Sequence, residues 1–221
     1  LTIMSKTEKA IAFAEGYHDL VRRDVFHLVP VSRGVLLDVG GGIGATSAAL
    51  KADGKCGRAI VVDLVDQDSL PGVDARFSGD LNDQALIDQI HDTEGLVDTI
   101  LCLDVLEHLV DPWGVLGRLT QLLAPGGAII ISLPNARNAL LVKRLVFQGT
   151  FKLDDRGIMD RTHLRWFARA DAIALATSSG LELEKIEGKI AGRRRKVLNA
   201  LTFGIFRGFF DLQYLIRVRK V

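Results

Sequence analysis

The sequence predicts an α/β fold with a Rossmann-like sheet, and three observations carry that expectation. The first is Val35-Leu36-Leu37-Asp38-Val39-Gly40-Gly41-Gly42-Ile43-Gly44. An apolar, β-branched run runs straight into alternate glycines and then into the helix formers of Ala45 to Lys51. That is strand, glycine turn, helix, the unit that lets backbone approach a ligand closely and offers unpaired N–H groups to it. The second is a series of further short apolar runs: Arg58–Asp63, Ala75–Leu81, Val97–Asp104 and Ala128–Leu133. They alternate with helical stretches at Asp83–His91 and Trp113–Ala124, the pattern of a mostly parallel sheet. The third is bulk composition. At 221 residues, 48% hydrophobic and 25% charged, the chain is long enough for one domain with a sizeable core.

The elements follow in order. Thr7 to Val29 reads as a helical cap over residues 1–30, with Val21, Val25 and Leu28 on one stripe and Pro30 as its end. The first turn is spaced G-x-G-x-G, not the G-x-G-x-x-G of dinucleotide dehydrogenases, and Asp38 precedes it by two residues. The second strand ends at Asp63, 19 residues past Gly44. In nucleotide-cofactor folds an acid there accepts from ribose hydroxyls, while the plainer role is a turn cap. Asp80 or Asn82 is a candidate N-cap for the helix that follows. In the Trp113–Ala124 helix, Trp113, Leu116, Leu119, Leu122 and Leu123 are expected inward, and Pro125-Gly126-Gly127 stops it. Asn135 to Phe147 reads as a helix, and the polar stretch after it belongs to an insertion, 136–167, of the lid or acceptor-binding kind. Asp171 to Ser179 is a further helix, and Leu181 to Ile190 a sixth strand. Leu212 to Arg219 alternates with period two, Tyr214, Ile216 and Val218 together, and reads as a seventh strand.

These motifs resemble class I S-adenosylmethionine-dependent methyltransferases. The Asp38–Gly44 turn is similar to their motif I. "LDVLEHLVDP" and "LLAPGGAIIISLPN" resemble motifs IV and V of the group related to the ubiquinone-biosynthesis O-methyltransferases. "GIMDRTHLRWF" resembles a signature of methyltransferases found beside bacterial surface-glycan enzymes. The resemblance implies a single domain over 1–221, with seven strands in the order 3-2-1-4-5-7-6. All are parallel except the last, and helices cover both faces. It implies S-adenosylmethionine as cofactor, S-adenosylhomocysteine as product, and cofactor contacts from Asp38, Gly40, Gly42, Gly44, Asp63, Leu64, Asp80, Leu81, Asp104, Val105 and Tyr17. Asp80 would meet the adenine amine and Leu81 its ring.

The implied reaction is transfer of a methyl group to a hydroxyl of a sugar, glycan or small molecule. A hydroxyl must lose its proton, and His163 is the expected base, with His108 as rival and Asp160 as orienter or base. The plain reading of each histidine is a packed or backbone-bonded ring, and Glu107 reads as structural. Strand four lacks the Asn/Asp-Pro-Pro-Tyr ending of adenine-N6 enzymes. Neither Cys56 nor Cys102 has metal or disulfide spacing, and no metal is expected. The alternatives are a nucleotide-binding oxidoreductase and a non-catalytic cofactor-binding partner subunit.

Charge is uneven. Lys189 to Val221 holds nine basic side chains and one acid, a balance of +8, against −7 for the other 188 residues. Two cysteines without disulfide spacing point to a reduced, cytoplasmic setting, Leu1 to Leu20 is too polar for a signal peptide, and no nucleic-acid partner is expected. Val197 to Phe210, rich in leucine and phenylalanine behind Arg193-Arg194-Arg195-Lys196, is either a crossover segment or a peripheral contact with an anionic membrane or lipid-linked acceptor.

Overall fold

The computed structural model describes residues 21–221. Seven strands form one sheet: β1 (Val35–Val39), β2 (Arg58–Asp63), β3 (Ala75–Ser78), β4 (Val97–Leu103), β5 (Leu123–Pro134), β6 (Leu181–Ile190) and β7 (Asp211–Lys220). Their order is β3-β2-β1-β4-β5-β7-β6, as expected. β1 pairs with β2 and β4 in parallel, and β7 alone runs antiparallel to its two neighbours, β5 and β6.

Alternation along the strands gives two cores. Leu37, Val39, Ile60, Val62, Ile100, Cys102, Ile129, Ile131, Tyr214, Ile216 and Val218 face one way. Three helices cover them: α2 (Gln84–Glu94), α3 (Pro112–Leu122) and α5 (Arg169–Ala176). Leu36, Ala59, Leu101, Ile130 and Leu215 face the other way, under α1 (Ala45–Ala52) and the segment carrying Val25, Leu28 and Val29. Central strands buried on both faces read as continuous apolar runs, which is why they were visible in the sequence. β6, at the edge, is mostly exposed and charged. The remaining helices are α4 (Ala139–Phe147), α6 (Arg193–Leu201) and α7 (Arg207–Phe210).

Several expectations are corrected. The described part of the N-terminal cap is no amphipathic helix: only a 3-10 turn, Arg23–Val25, forms there. Tertiary bonds replace helical ones, because the Arg22 N–H donates to Thr46 Oγ1 (3.1 Å) and its guanidinium pairs with Asp104 and Asp24. The earlier part of that cap lies outside the described residues. The N-cap of α2 is Asp83, which accepts from Ala85 N at 3.0 Å; Asp80 instead closes its own turn through Asn82 N at 2.9 Å. Trp113 does not turn inward; it is 45% exposed at the first turn of α3, edge-on to Phe167. α4 begins at Ala139, capped by the Asn138 side chain, and Leu140, Leu145 and Val146 are exposed. Among the described residues no helix is long and apolar enough to cross a membrane.

Candidate active site

A cleft of about 790 Å³ opens at the carboxyl ends of β1, β4 and β5. The general rule for open α/β sheets puts ligands there. Asp38, Gly40, Asp104, His108, Asp160 and His163 all line it. Gly42, Gly44, Asp63, Leu64, Asp80, Leu81 and Val105 do not; Asp63 and Leu64 stand at the end of β2, and Asp80 and Leu81 follow β3.

The glycine turn is forced by its surroundings. Gly40 has φ +66°, and a Cβ there would sit 2.5 Å from a Val105 methyl. Gly44, also left-handed, is the N-cap of α1. Asp63 holds the turn together: its two carboxylate oxygens accept from Gly42 N and Val65 N, each at 2.9 Å. The turn-cap role of Asp63 is therefore real. A carboxylate has about four acceptor positions, so lone pairs are left over for ribose hydroxyls.

Asp38 is buried at 2% exposure, and its Oδ2 has no hydrogen-bond partner. Burial pushes its pKa up to about 7, against hydrogen bonds from Ser47 that lower it. Asp104 terminates β4 in the left-handed region, φ +58°. Ser132 Oγ donates to its Oδ1 at 2.7 Å and the Arg22 guanidinium pairs with its Oδ2. A cationic ligand fits this edge: an orphaned buried carboxyl, a second fixed carboxylate and a backbone cradle face one space.

The side of the cleft that carries the histidines is assembled from two distant stretches. After β4, Leu106–His108 forms a 3-10 turn, and Glu107 is fully buried with both carboxyl oxygens unpartnered. Burial first, then the Asp104 charge, raises its pKa well above the carboxylate range. Its backbone carbonyl accepts from Leu164 N at 2.8 Å and Arg165 N at 3.1 Å, which docks the loop carrying His163. The two imidazoles then meet edge to face, centroids 4.8 Å apart. His108 Nδ1 lies 3.2 Å from Thr162 O and His163 Nδ1 3.2 Å from Ile158 O. A carbonyl only accepts, so each Nδ1 carries the proton and each Nε2 keeps its lone pair. Burial, and next the charge of His163, pushes His108 down to about 4; burial also lowers His163. Both rings are neutral at pH 7.

Asp160 orients neither ring. Its Oδ1 accepts from Thr162 N (2.8 Å) and Thr162 Oγ1 (2.7 Å), closing the turn that presents His163. The orienting groups are main-chain carbonyls, which no residue type encodes. Arg22, Ser132 and Lys189 are further site residues that sequence reasoning missed. Arg22 reaches Asp104 across 82 residues, and Lys189 pairs with Asp24 at 2.7 Å beside the same cleft. Glu107, His108 and His163 also offer ligand atoms within 4.8 Å of one another. A tetrahedral zinc, bonded at about 2.0–2.1 Å, would need them about 3.4 Å apart. Tyr17, expected at the cofactor, lies outside the described residues.

Comparison with known proteins decides the family. The model described as "Methyltransferase domain" matches residues 13–186. The chain belongs to this methyltransferase family. The methyltransferase is similar to a ubiquinone biosynthesis O-methyltransferase from Xylella fastidiosa (strain 9a5c), 29% identical over 208 residues, covering 83% of this chain and 80% of that one. A relative of the same name from strain M23 is 30% identical over 171 residues, 72% of this chain; the match spans 65% of the relative's length. Among solved structures, a SAM-dependent methyltransferase from Archaeoglobus fulgidus superposes with TM-score 0.68 at 18% identity, over 96% of this chain and 99% of that one. A 1,6-didemethyltoxoflavin-N1-methyltransferase from Burkholderia thailandensis, with bound S-adenosylhomocysteine, gives TM-score 0.55 at 16% identity, over 100% and 92%. These two likenesses show the fold. The protein is a methyltransferase enzyme whose cofactor is S-adenosylmethionine, and the expected fold and cofactor stand. The oxidoreductase and non-catalytic alternatives fall with the same findings.

Proposed function

We propose that this methyltransferase methylates a hydroxyl of a small molecule or glycan, with His163 receiving the hydroxyl proton. The observation that carries the reading is the pair of neutral imidazoles at the cleft, each with Nδ1–H committed to a carbonyl. Bound S-adenosylmethionine supplies a methyl group on sulfonium sulfur, already activated for in-line displacement. The chain's work is then to orient, exclude water and accept a proton. Asp63, the glycine turn, Leu64, Asp80 and Leu81 hold the ribose and adenine end. Asp38 and Asp104 face the cationic end, with Val105 packed behind Gly40. His163 is favoured over His108 because His108 is the weaker base, pushed down to about 4. Asp160 fixes the turn on which His163 rides. Arg156 and Arg161, on the same loop, line the cleft; Arg161 pairs with Asp155, and Arg156 suits an acceptor bearing an anionic group. The curated relatives' name, an O-methyltransferase, supports oxygen as the methylated atom.

The test is transfer of isotope-labelled methyl from S-adenosylmethionine to a panel of hydroxylated acceptors: sugars, lipid-linked glycans and phenols. Label in a methyl ether supports the proposal. Label only in amines, by an enzyme competent for transfer, overturns it.

A further inference from the structure

A group of exposed apolar side chains stands on the segment between β6 and β7, which leads into the cleft-lining Leu212 and Gln213. Leu201, Phe203, Ile205 and Phe206, in and after α6, are 70%, 93%, 77% and 51% exposed. On α4, Leu145, Val146 and Phe147 are 51–79% exposed. Patches of this kind on a soluble domain mark contact sites.

The two groups are not independent. β7 pairs antiparallel with β5, Gln213 opposite Pro134, so its start lies at the end of β5 where α4 begins. Asn135 Nδ2 donates to the Gly208 and Asp211 carbonyls at 2.8 and 2.9 Å, and Asn138 Nδ2 to the Asp211 carbonyl at 2.7 Å. The Arg137 guanidinium stacks on Phe209 at 4.6 Å. Leu140, Leu141, Leu212 and Gln213, on these elements, line the cleft.

Charge and backbone add to this. Arg193, Arg194, Arg195 and Lys196 open α6, and none pairs with an acid among the described residues. The one acid from Lys189 to Val221, Asp211, is 5% exposed. Four cations at a helix N-terminus oppose the helix dipole, so helix stability does not account for them. Phe203 sits at φ +50°, an uncommon conformation for an aromatic residue, at the tip between α6 and α7. It is held there by its N–H to the Ala200 carbonyl at 3.0 Å.

We infer that α6, α7 and the tip between them, with the adjoining face of α4, dock on an anionic phospholipid bilayer. Arg193 to Lys196 lie at the head groups, and Leu201, Phe203, Ile205 and Phe206 enter the interface. Apolar wedge plus basic flank is the combination that holds a peripheral protein to such a surface. A second copy of the chain is the poorer occupant: a two-fold contact would set the Arg193–Lys196 cluster against itself. The inference goes beyond the transfer reaction, because it says from which side the cleft is supplied.

The test is co-sedimentation of the full chain with vesicles of phosphatidylcholine and phosphatidylglycerol in equal parts, against pure phosphatidylcholine. Binding is expected to the anionic vesicles only, and to weaken with salt. Each basic residue at the surface is worth about fivefold in partitioning, so replacing all four by glutamine lowers binding at least about a hundredfold. Phe203→Ser with Ile205→Ser lowers it by about tenfold or more. These side chains are exposed, save the half-buried Arg195, and unchanged S-adenosylhomocysteine binding reports an intact fold. No sedimentation with anionic vesicles overturns the inference, as does binding that the glutamine variant leaves unchanged. So does a dimer that Phe203→Ser with Ile205→Ser dissociates while vesicles are ignored, which makes the face a self-association surface. None of these outcomes depends on which atom is methylated.

Discussion

The two halves of the cleft are built in opposite ways. The cofactor half is local: Asp38, three glycines and α1 form one continuous stretch, and Asp63 closes it from the neighbouring strand. The acceptor half is remote. His108 and His163 stand 55 residues apart and meet because the Glu107 carbonyl accepts two N–H groups of the later loop. The glycine-turn half thus rests mostly on chain neighbours, and the meeting of the two imidazoles on a tertiary contact. Substitutions in the first half should change affinity, and those in the second should change rate.

The sharpest way to break that division is His163→Ala. Turnover should fall roughly 10²- to 10⁴-fold, the usual loss for a positioned base, with S-adenosylhomocysteine affinity near wild type. If His108→Ala shows the loss and His163→Ala does not, the base is His108. Next in size is Asp63→Ala. It removes one hydrogen bond to the glycine turn, from Gly42 N, and one to the loop after β2, from Val65 N; at about 1.5–3 kcal/mol for a charged acceptor the cofactor should weaken by about tenfold or more in calorimetry. Wild-type affinity with a lower melting temperature would leave Asp63 as scaffold only.

A pH titration probes the same half more finely. Asp38 has its pKa raised to about 7 in the ligand-free protein, so it is largely protonated below that pH. A cationic ligand favours the ionised form and pulls the pKa down, releasing a proton on binding. Affinity for S-adenosylmethionine should therefore rise with pH up to about 7 and level off above it. Asp38→Asn should flatten the curve. The stability of the free protein carries the opposite sign over this range: a raised carboxyl pKa contributes less as pH rises from the unfolded value toward 7. The smallest expected effect is that of a chelator. Turnover unchanged by EDTA keeps Glu107, His108 and His163 as base and support; a loss restored by zinc would make them an ion site.

Legibility in the sequence follows the same division. The strands and the glycine turn were readable because each rests on short-range pattern: apolar runs, alternation, and turn residues at fixed offsets; strand order and the helices on both faces came from the family resemblance. Trp113 was misjudged because helical period gives a face and not a depth, and the first turn of α3 lies at the rim. The N-terminal stripe of Val25 and Leu28 was correctly apolar, yet Arg22 leaves the helix to meet Thr46 and Asp104. His108 and His163 were visible as candidates, but their orienting partners are carbonyls of Thr162 and Ile158, and a carbonyl has no signature in sequence. Nothing near Lys189 announces that it pairs with Asp24, 165 residues away.

The Glu107 carbonyl ties the two histidine-bearing stretches together through main chain. Leu164 and Arg165 both donate to that one oxygen, and His163 is the residue just before them. The Arg165 guanidinium also donates to the Val110 carbonyl at 2.7 Å, and Met159, His163 and Phe167 are buried, so the two bonds, about 0.5–1.5 kcal/mol each, are one part of what seats the loop. Because the acceptor is a backbone oxygen, exchanging the Glu107 side chain does not by itself remove either bond.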